Sequence, residues 1–293
     1  MQLLSRPVPL AVFGASCIAF SAPLVALSHA NAATASVFRC LLAVPLLSGL
    51  AAREARGGRP RCRRTRLLAF AAGALLGGDL LLWSQAIGEV GAGVSTVVVN
   101  VQVLLVPLLA LAIDREPLTR RFGVAVVPML VGVAMAAGVG VQALGSDPPL
   151  GTAHAVLAAG CYAGYLSLLR RGATVGRPLA ALRDITLTAG AVSLVAGALW
   201  QGIDLAPSWA AFGWLLALAI SGQVLGWLAL ATALPRLSAR VGSSLLLLQP
   251  VGAVLLGILL LSQTPAAIQL GGCVLVLIAV AVATMHDRDA ETP

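Results

Sequence analysis

The stretch GGDLLLWSQA, residues 77 to 86, places a carboxylate in an apolar run that is otherwise uncharged from Leu67 to Gly88. Asp79 would lie about 18 Å into a helix that begins near Leu67, close to the middle of a bilayer. Insertion scales put an aspartate at that depth at about +2.5 to +3.5 kcal/mol. Such a carboxylate would contact a substrate or bind a proton whose release accompanies a conformational change. The alternative is a structural aspartate, either hydrogen-bonded to Ser or Asn of a neighbouring helix or protonated.

Two tryptophans follow polar residues at helical spacing. Trp83 comes four residues after Asp79 and therefore lies on the same helix face. Gln223 and Trp227 repeat this spacing later in the chain. We expect the two pairs to form a polar centre closed on both sides by indole rings, which would stack on an apolar or aromatic substrate. Tryptophans at the membrane interface or in the core are the alternative.

Three further polar residues interrupt apolar runs: Arg39, Asn100 and Gln249. Arg39 either forms an ion pair across a cavity or extends its side chain to the membrane interface. Asn100 and Gln249 either line a pathway or form hydrogen bonds between helices, at about 0.6 kcal/mol each.

The composition of the chain indicates its class. Of the 293 residues, 59% are hydrophobic and 10% are charged, whereas soluble domains are about 25% charged. We therefore predict an all-α membrane protein. The net charge of +8 comes from 19 arginines without any lysine. Because these arginines lie mostly in short loops between apolar runs, we expect no nucleic acid as a partner.

Breaks at charges, Pro and Gly divide the chain into ten candidate transmembrane helices, and a span needs about 20 residues. With a cytoplasmic N-terminus, eighteen of the nineteen arginines lie inside, as the positive-inside rule expects, and both termini are then cytoplasmic. Alternatively, Arg6, an apolar run and Ala30-Asn31-Ala32 form a cleaved signal peptide. The predicted location is the inner or plasma membrane. The ten helices are predicted to begin near Val8, Ala33, Leu67, Gly91, Phe122, Gly151, Leu179, Trp209, Val241 and Ala267.

The sequence also contains an internal repeat. Beyond a four-residue insertion in the loop at residues 235–238, the offset between the two copies rises from 144 to 148 residues. Each copy, residues 1–146 and residues 147–293, holds five predicted helices. Five is an odd number, so the second copy enters the membrane from the opposite side, as in alternating-access transporters. The offset of 144 pairs Asp79 with Gln223, Trp83 with Trp227 and Arg39 with Arg183.

Signatures of enzymes and of metal sites are lacking in the sequence. The five cysteines have no metal-ligand spacing, and we expect them to be free. The three histidines are isolated from one another, and HExxH and GxSxG are absent. We therefore predict no bound metal, no cofactor and no catalysis.

The motifs resemble those of the drug/metabolite transporter superfamily, specifically its EamA-type ten-helix group, over nearly the whole chain. The resemblance implies two EamA-type repeats of five helices, but Thr264 replaces the usual glutamate, and Ser84 follows Trp83 where related sequences carry histidine. The resemblance rests on VFRCLLAVPLL, DLLLWSQAIGEVGAG, STVVVNVQVLLVPLLA and DREPLTRRFG, and on the second-half segments ALRDITLTAGA and SSLLLLQPVGAVLLGILLLSQTP.

We expect an integral membrane secondary transporter that exports small metabolites, amino acids or drugs by alternating access. Its partners would be a small-molecule substrate, the lipid bilayer and a proton as the coupling ion. The alternatives are an uncoupled facilitator or channel of the same fold, and an integral-membrane enzyme or assembly factor. The oligomeric state is left open, a homodimer included. The candidate binding or coupling residues are Asp79, Trp83, Asn100, Gln223, Trp227, Gln249 and Arg39.

Overall fold

A computed structural model describes residues 6–55, 61–118, 120–137, 145–174, 177–237 and 239–284. The described residues form helices joined by short connections, with no strand among them, which confirms the all-α prediction for this part of the chain. The two termini, which we predict to be cytoplasmic, lie outside the described residues.

Helices begin within four residues of each of the ten predicted starts. In the first half, the helices are α1 (Pro7–Ala19), α2 (Ser21–Ser28), α3 (Ala32–Ala55), α4 (Arg63–Val90), α5 (Ala92–Val98), α6 (Gln102–Asp114) and α7 (Arg120–Ala136). In the second half, they are α8 (Pro148–Leu168), α9 (Pro178–Trp200), α10 (Trp209–Leu218), α11 (Trp227–Ala233), α12 (Ala239–Leu246), α13 (Leu248–Leu261) and α14 (Ala267–Thr284).

Among the described residues, eight helical stretches are long and apolar enough to cross a membrane. Two shorter apolar helices, Phe122–Ala136 and Leu248–Leu261, accompany them. The chain is therefore a multi-pass membrane protein, and ten crossings remain a prediction. The eight stretches are Pro7–Ser28, Ala32–Ala55, Arg63–Val90, Ala92–Asp114, Pro148–Gly172, Pro178–Trp200, Trp209–Ala233 and Ala267–Thr284.

Several helix starts follow from local sequence. Asp147 precedes α8, and its side chain accepts a hydrogen bond from the Leu150 backbone nitrogen at 3.2 Å, while Pro148 occupies the first turn. Helix α9 begins with Pro178, and the Glu54 carboxylate accepts hydrogen bonds from the next two backbone nitrogens at 3.1 and 2.9 Å. A carboxylate at a helix N-terminus accepts hydrogen bonds from free N–H groups and interacts favourably with the positive end of the helix dipole.

Two spanning segments are interrupted at matching positions of the repeat. A 3-10 turn at Val99–Val101 separates α5 from α6, and Leu247 separates α12 from α13. Val99 and Leu247 are related by the offset of 148 residues. Pro250 lacks the N–H that would bond to Leu246 across the second break, and Pro107 lies six residues beyond the end of the first. A third irregularity, the π-helical segment Ala219–Gly226 between α10 and α11, has no counterpart in α4.

Helix α4 lies at the centre of the bundle and packs against α8 and α9, while α3 packs against α9 and α7 against α14. Small residues permit these close approaches. A Cβ added at Gly77 would lie 2.7 Å from the Ala189 carbonyl oxygen of α9. Such contacts stabilise helix pairs in a membrane, where burial from water supplies no driving force.

The two ends of the bundle differ in charge. We call the end that holds Arg61, Arg170 and Arg183 the arginine-rich end. The opposite end holds the C-terminus of α4 with Glu89 and the N-terminus of α8 with His154.

Candidate functional site

A cavity of about 520 Å³ lies among the helices and is lined chiefly by residues of α6, α8, α9, α11, α13 and α14. Its walls are mostly apolar. Thr174, Pro178 and Thr284 line it near the ends of their helices, so the cavity extends to the arginine-rich end. Among its deeper lining residues are Asn100, Tyr162, Trp227 and Gln249.

A smaller cavity of about 100 Å³ adjoins the first, and five residues line both: Asn100, Gln102, Tyr162, Trp227 and Gln249. Six of the seven candidate residues line this small cavity, and Gln223 does not. The structure therefore brings together residues from five separated segments of sequence. The six are Arg39, Asp79, Trp83, Asn100, Trp227 and Gln249.

Asp79 lies in the middle of α4 and is 6% exposed. Its carboxylate makes no hydrogen bond to any described residue. Trp83, one turn later, is also buried and lines the same cavity. A buried carboxylate without a hydrogen bond costs free energy, and its place at the wall of a cavity allows a ligand, a proton or water to interact with it.

Arg39 lies in α3 and is 5% exposed. Its Nε donates a hydrogen bond to Oε1 of Gln223 at 3.0 Å, and its guanidinium carbon lies 5.7 Å from the centre of the Trp83 ring. Gln223 in turn donates from Nε2 to the Thr186 hydroxyl at 3.1 Å and is fully buried. Arg39 therefore does not reach the membrane interface. Gln223 contacts Arg39 but does not itself line the cavity.

Three aromatic side chains meet at the large cavity, and two of them, Tyr162 and Trp227, also line the small one. The Trp227 ring lies 6.3 Å from the rings of both Tyr162 and Tyr165, and the tyrosine rings are 5.3 Å apart. Such spacings are typical of packed aromatic pairs. The sequence interpretation missed both tyrosines, although they are the only two in the chain and lie three residues apart. This spacing within an apolar run was a usable signal.

Two buried polar atoms at the small cavity have no hydrogen-bond partner among the described residues. They are Oγ of Ser21, at the start of α2, and Oε1 of Gln102, at the start of α6. Asn100, by contrast, donates from Nδ2 to the Thr96 carbonyl at 2.9 Å, within its own helical segment. Both unpaired atoms lie at helix interruptions. Neither residue was among the seven candidate residues predicted from the sequence.

The opposite end is closed by a chain of side-chain hydrogen bonds. Glu89 accepts from Gln85 Nε2 at 2.6 Å and lies 2.6 Å from His154 Nδ1, and Gln201 donates to Gln85 at 2.6 Å. These bonds join α4 of the first half to α8 and to the residue after α9 in the second. Glu89 is buried and paired with His154, a contact that the sequence interpretation did not identify.

Helices α5 and α13 also pack together towards the opposite end. A Cβ added at Gly93 would lie 2.6 Å from the Val254 Cα, and the Ala92 backbone nitrogen donates to Gln263 Oε1 at 3.2 Å. This contact lies beyond the small cavity and separates it from the opposite end.

Ion pairs connect helices and loops at the arginine-rich end, outside the large cavity. Asp184, in α9, accepts from Arg61 at 2.7 Å and from Arg183 at 2.6 Å, and it is buried. Arg170 and Arg171 pair with Glu116 and Asp114 at 3.2 and 2.6 Å in exposed positions. Arg183, the repeat partner of Arg39, is thus held at the surface and does not share its position beside the small cavity.

The comparisons with known proteins concern the family and the fold. The model described as the EamA-like transporter family matches residues 6–138 and, a second time, residues 149–285. No curated protein matches the chain. Of the 23 chains of solved structure that match, one is described only as the crystal structure of a protein. It is 20% identical with a TM-score of 0.61, over 95% of this chain and 98% of that chain. At this identity, the likeness concerns the fold alone.

Proposed function

Because the chain belongs to the EamA-like transporter family, we propose that it is a secondary transporter that exports small molecules across a cell membrane by alternating access. The proposal rests chiefly on the cavity of about 520 Å³ within the bundle, which continues to Arg39 and Asp79. Cavities of about 300 to 1,000 Å³ suit small molecules.

The proposed topology has ten crossings in two inverted repeats, residues 1–146 and 147–293, with both termini in the cytoplasm. The positive-inside rule then assigns the arginine-rich end to the cytoplasm. The cavity would face the cytoplasm, ready to load a molecule for export. Placing the protein in the inner or plasma membrane is part of the same proposal.

The repeat supports a second, outward-facing conformation. Ala231, Leu234 and Leu246 line the large cavity. If the two halves exchange conformations, the repeat partners of these residues would line a cavity at the opposite end. All three partners, Ile87, Val90 and Val98, are buried now. Opening that end requires α5 to separate from α13, and the break at Val99–Val101 supplies a hinge.

The cavity chemistry favours a small molecule with an apolar or aromatic body and a polar group. Trp227, Tyr162 and Tyr165 supply aromatic surface, and Asp79 and Arg39 supply opposite charges at the deep end. Amino acids, drugs and other small metabolites include molecules of this kind. Asn100 and Gln249, which line both cavities, would contact the molecule between these regions.

One observation favours an uncoupled facilitator as the second candidate. Arg39 lines the same small cavity as Asp79. Its positive charge can balance the Asp79 carboxylate, which then needs no proton to be neutralised. In a proton-coupled transporter, Asp79 would instead gain and lose a proton during each cycle. The two candidates share the fold and the cavity and differ in what drives transport.

Reconstitution into proteoliposomes tests the proposal. A thermal-shift screen of amino acids, nucleobases and cationic drugs selects a ligand, and its uptake is then measured with and without a pH gradient. Asp79→Asn should reduce uptake strongly. The matched control is Asp204→Asn, which changes an exposed carboxylate that lines neither cavity, and this variant should transport normally.

The outcomes separate the candidates. Uptake accelerated by the pH gradient and lost in Asp79→Asn supports a proton-coupled transporter. Equal uptake with and without the gradient supports the facilitator. Chemical turnover of the ligand without vectorial movement would overturn both and favour an integral-membrane enzyme.

A further inference from the structure

We propose that Arg39 and Ser21 form a carboxylate-binding subsite at the deep end of the cavity. The inference rests on the proposed function, since it names the group of the transported molecule that the small cavity recognises. The transported molecule would carry one carboxylate on an apolar or aromatic body.

The first support is the unused part of the Arg39 side chain. Only Nε is engaged, with Gln223 at 3.0 Å. The two terminal nitrogens make no hydrogen bond to any described residue, and Asp79 of the same cavity is not bonded to them. A guanidinium that is 5% exposed keeps little of its hydration, so an acceptor at the terminal nitrogens would be favourable.

The second support is the neighbouring hydroxyl. Ser21 Oγ is buried without a partner among the described residues. A Cβ added at Gly222 would clash with Ser21 Oγ and would lie 3.6 Å from Arg39 Nη2, so the two polar groups border the same small space. A serine hydroxyl and a guanidinium N–H group that border one space are donors suited to a carboxylate.

The third support is the orientation of the guanidinium. The Gln223 amide donates to Thr186 at 3.1 Å, which turns its carbonyl oxygen towards Arg39. The Trp83 ring lies 5.7 Å from the guanidinium carbon. Gln223 holds Nε, and the Trp83 ring lies beside the guanidinium carbon. The terminal nitrogens of Arg39 are therefore left to face the small cavity. Gln223 is thus a positioning residue for Arg39, although it lines neither cavity.

The size and charge of the small cavity select the ligand class. About 100 Å³ accommodates a carboxylate, while the apolar body occupies the larger cavity beside Trp227. A phosphate would bring about two negative charges close to Asp79, and one arginine cannot balance them. A lone ammonium would be attracted by Asp79 and repelled by Arg39, so it would not use the Arg39 donors. A single carboxylate is therefore the group that best matches Arg39.

The experiment compares ligands that share one body. Binding of 3-phenylpropanoate, 3-phenylpropanamide, 3-phenylpropylamine and 2-phenylethyl phosphate is measured on the full-length protein by tryptophan fluorescence. The carboxylate should bind at least about tenfold more tightly than the amide, because it forms charge-assisted hydrogen bonds. Equal binding of the two, or tighter binding of the amine or the phosphate, would overturn the proposal. This comparison needs only the wild-type protein.

Variants then locate the subsite. Arg39→Gln should abolish the preference for carboxylate over amide, and Ser21→Ala should weaken carboxylate binding several-fold with little effect on the amide. Asp79→Asn should strengthen carboxylate binding, because it removes a nearby negative charge, and should weaken amine binding. An unchanged preference in a folded Arg39→Gln protein would contradict the assignment, and Arg39→Lys serves if that variant does not fold.

The failure of this inference is distinguishable from failure of the proposed function. Transport of ligands without any carboxylate preference would overturn the subsite and leave the transporter intact. Carboxylate binding that depends on Arg39 without vectorial movement in proteoliposomes would overturn the transporter and leave the subsite.

Discussion

The Nε of Arg39 donates to Oε1 of Gln223 at 3.0 Å, and this bond joins the two halves of the chain beside the small cavity. The repeat pairs Gln223 with Asp79, yet Asp79 faces the cavity and Gln223 lies behind it. The two copies of the repeat therefore supply different parts of one site.

Replacing Gln223 tests its role in holding Arg39. Gln223→Leu would leave the buried Nε without its acceptor, and loss of a hydrogen bond to a charged group costs about 1.5 to 3 kcal/mol. We expect a lower free energy of unfolding in detergent and a weaker preference for carboxylate ligands. Thr186→Val, which removes only the partner of the Gln223 amide, should have a smaller effect on both measurements. Equal stability of Gln223→Leu and wild type would show that this bond contributes nothing.

Gly77 tests the contact between α4 and α9. A Cβ at this position would lie 2.7 Å from the Ala189 carbonyl oxygen, so Gly77→Ala should reduce the free energy of unfolding by about 1 to 3 kcal/mol through overpacking. The same substitution at Gly88, where a Cβ would meet nothing within 4 Å, is the matched control in the same helix. If the two variants unfold alike, α4 and α9 do not pack as described.

Cys62 reports the orientation of the chain. It is the one exposed cysteine among the described residues and precedes α4 at the arginine-rich end. A membrane-impermeant maleimide should label it in inverted vesicles and not in intact cells, if that end is cytoplasmic. Labelling of intact cells at Cys62 would reverse the proposed topology.

The reactivity of Cys62 has a defined pH dependence. Hydrogen bonds from the Thr65 hydroxyl, at 3.0 Å, and backbone nitrogen, at 3.5 Å, lower the pKa of the thiol. More of the reactive thiolate is then present at neutral pH, and alkylation slows as the pH falls through this lowered pKa. Thr65→Ala should raise the pKa and move the whole rate profile to higher pH. If the pH profiles of Cys62 alkylation coincide for Thr65→Ala and wild type, the Thr65 hydroxyl does not lower the pKa of the thiol.

The Glu89 and His154 pair should stabilise the closed opposite end. Their side chains approach to 2.6 Å, and both are largely buried. A double-mutant cycle with Glu89→Gln and His154→Ala should give a coupling of about 0.5 to 3 kcal/mol in unfolding free energy, as for residues in direct contact. Additive effects of the two substitutions would mean that the contact carries no energy.

The sequence predicted the positions of helices better than the faces they present. Apolar runs bounded by charges and prolines located the helix starts, because the bilayer sets the length of a span. The cost of a charge in a membrane marked Asp79 and Arg39, and both line the small cavity. The pairing of Glu89 with His154, 65 residues away, depends on tertiary packing that no local pattern encodes.

Gln223 shows why repeat alignment does not predict which face a residue presents. Asp79 lies in regular α-helix, whereas Gln223 lies in the π-helical segment Ala219–Gly226. A π-helical turn contains an extra residue and rotates the following side chains around the axis. Residues aligned in the repeat therefore need not present the same face. Ser21 escaped notice for another reason, since only the packing of α2 shows its hydroxyl to be unpartnered.

Cysteine accessibility at one repeat-related pair tests most directly the central claim that the pathway opens at one end at a time. Ala231→Cys and Ile87→Cys are made separately in a background without native cysteines and are exposed to an impermeant thiol reagent from each side. We predict that Ala231→Cys reacts only from the cytoplasmic side and Ile87→Cys only from the opposite side. A ligand that raises the reaction rate of one variant should lower the reaction rate of the other. Reaction of both variants from the same side, or no reaction of Ile87→Cys while transport proceeds, would contradict alternating access.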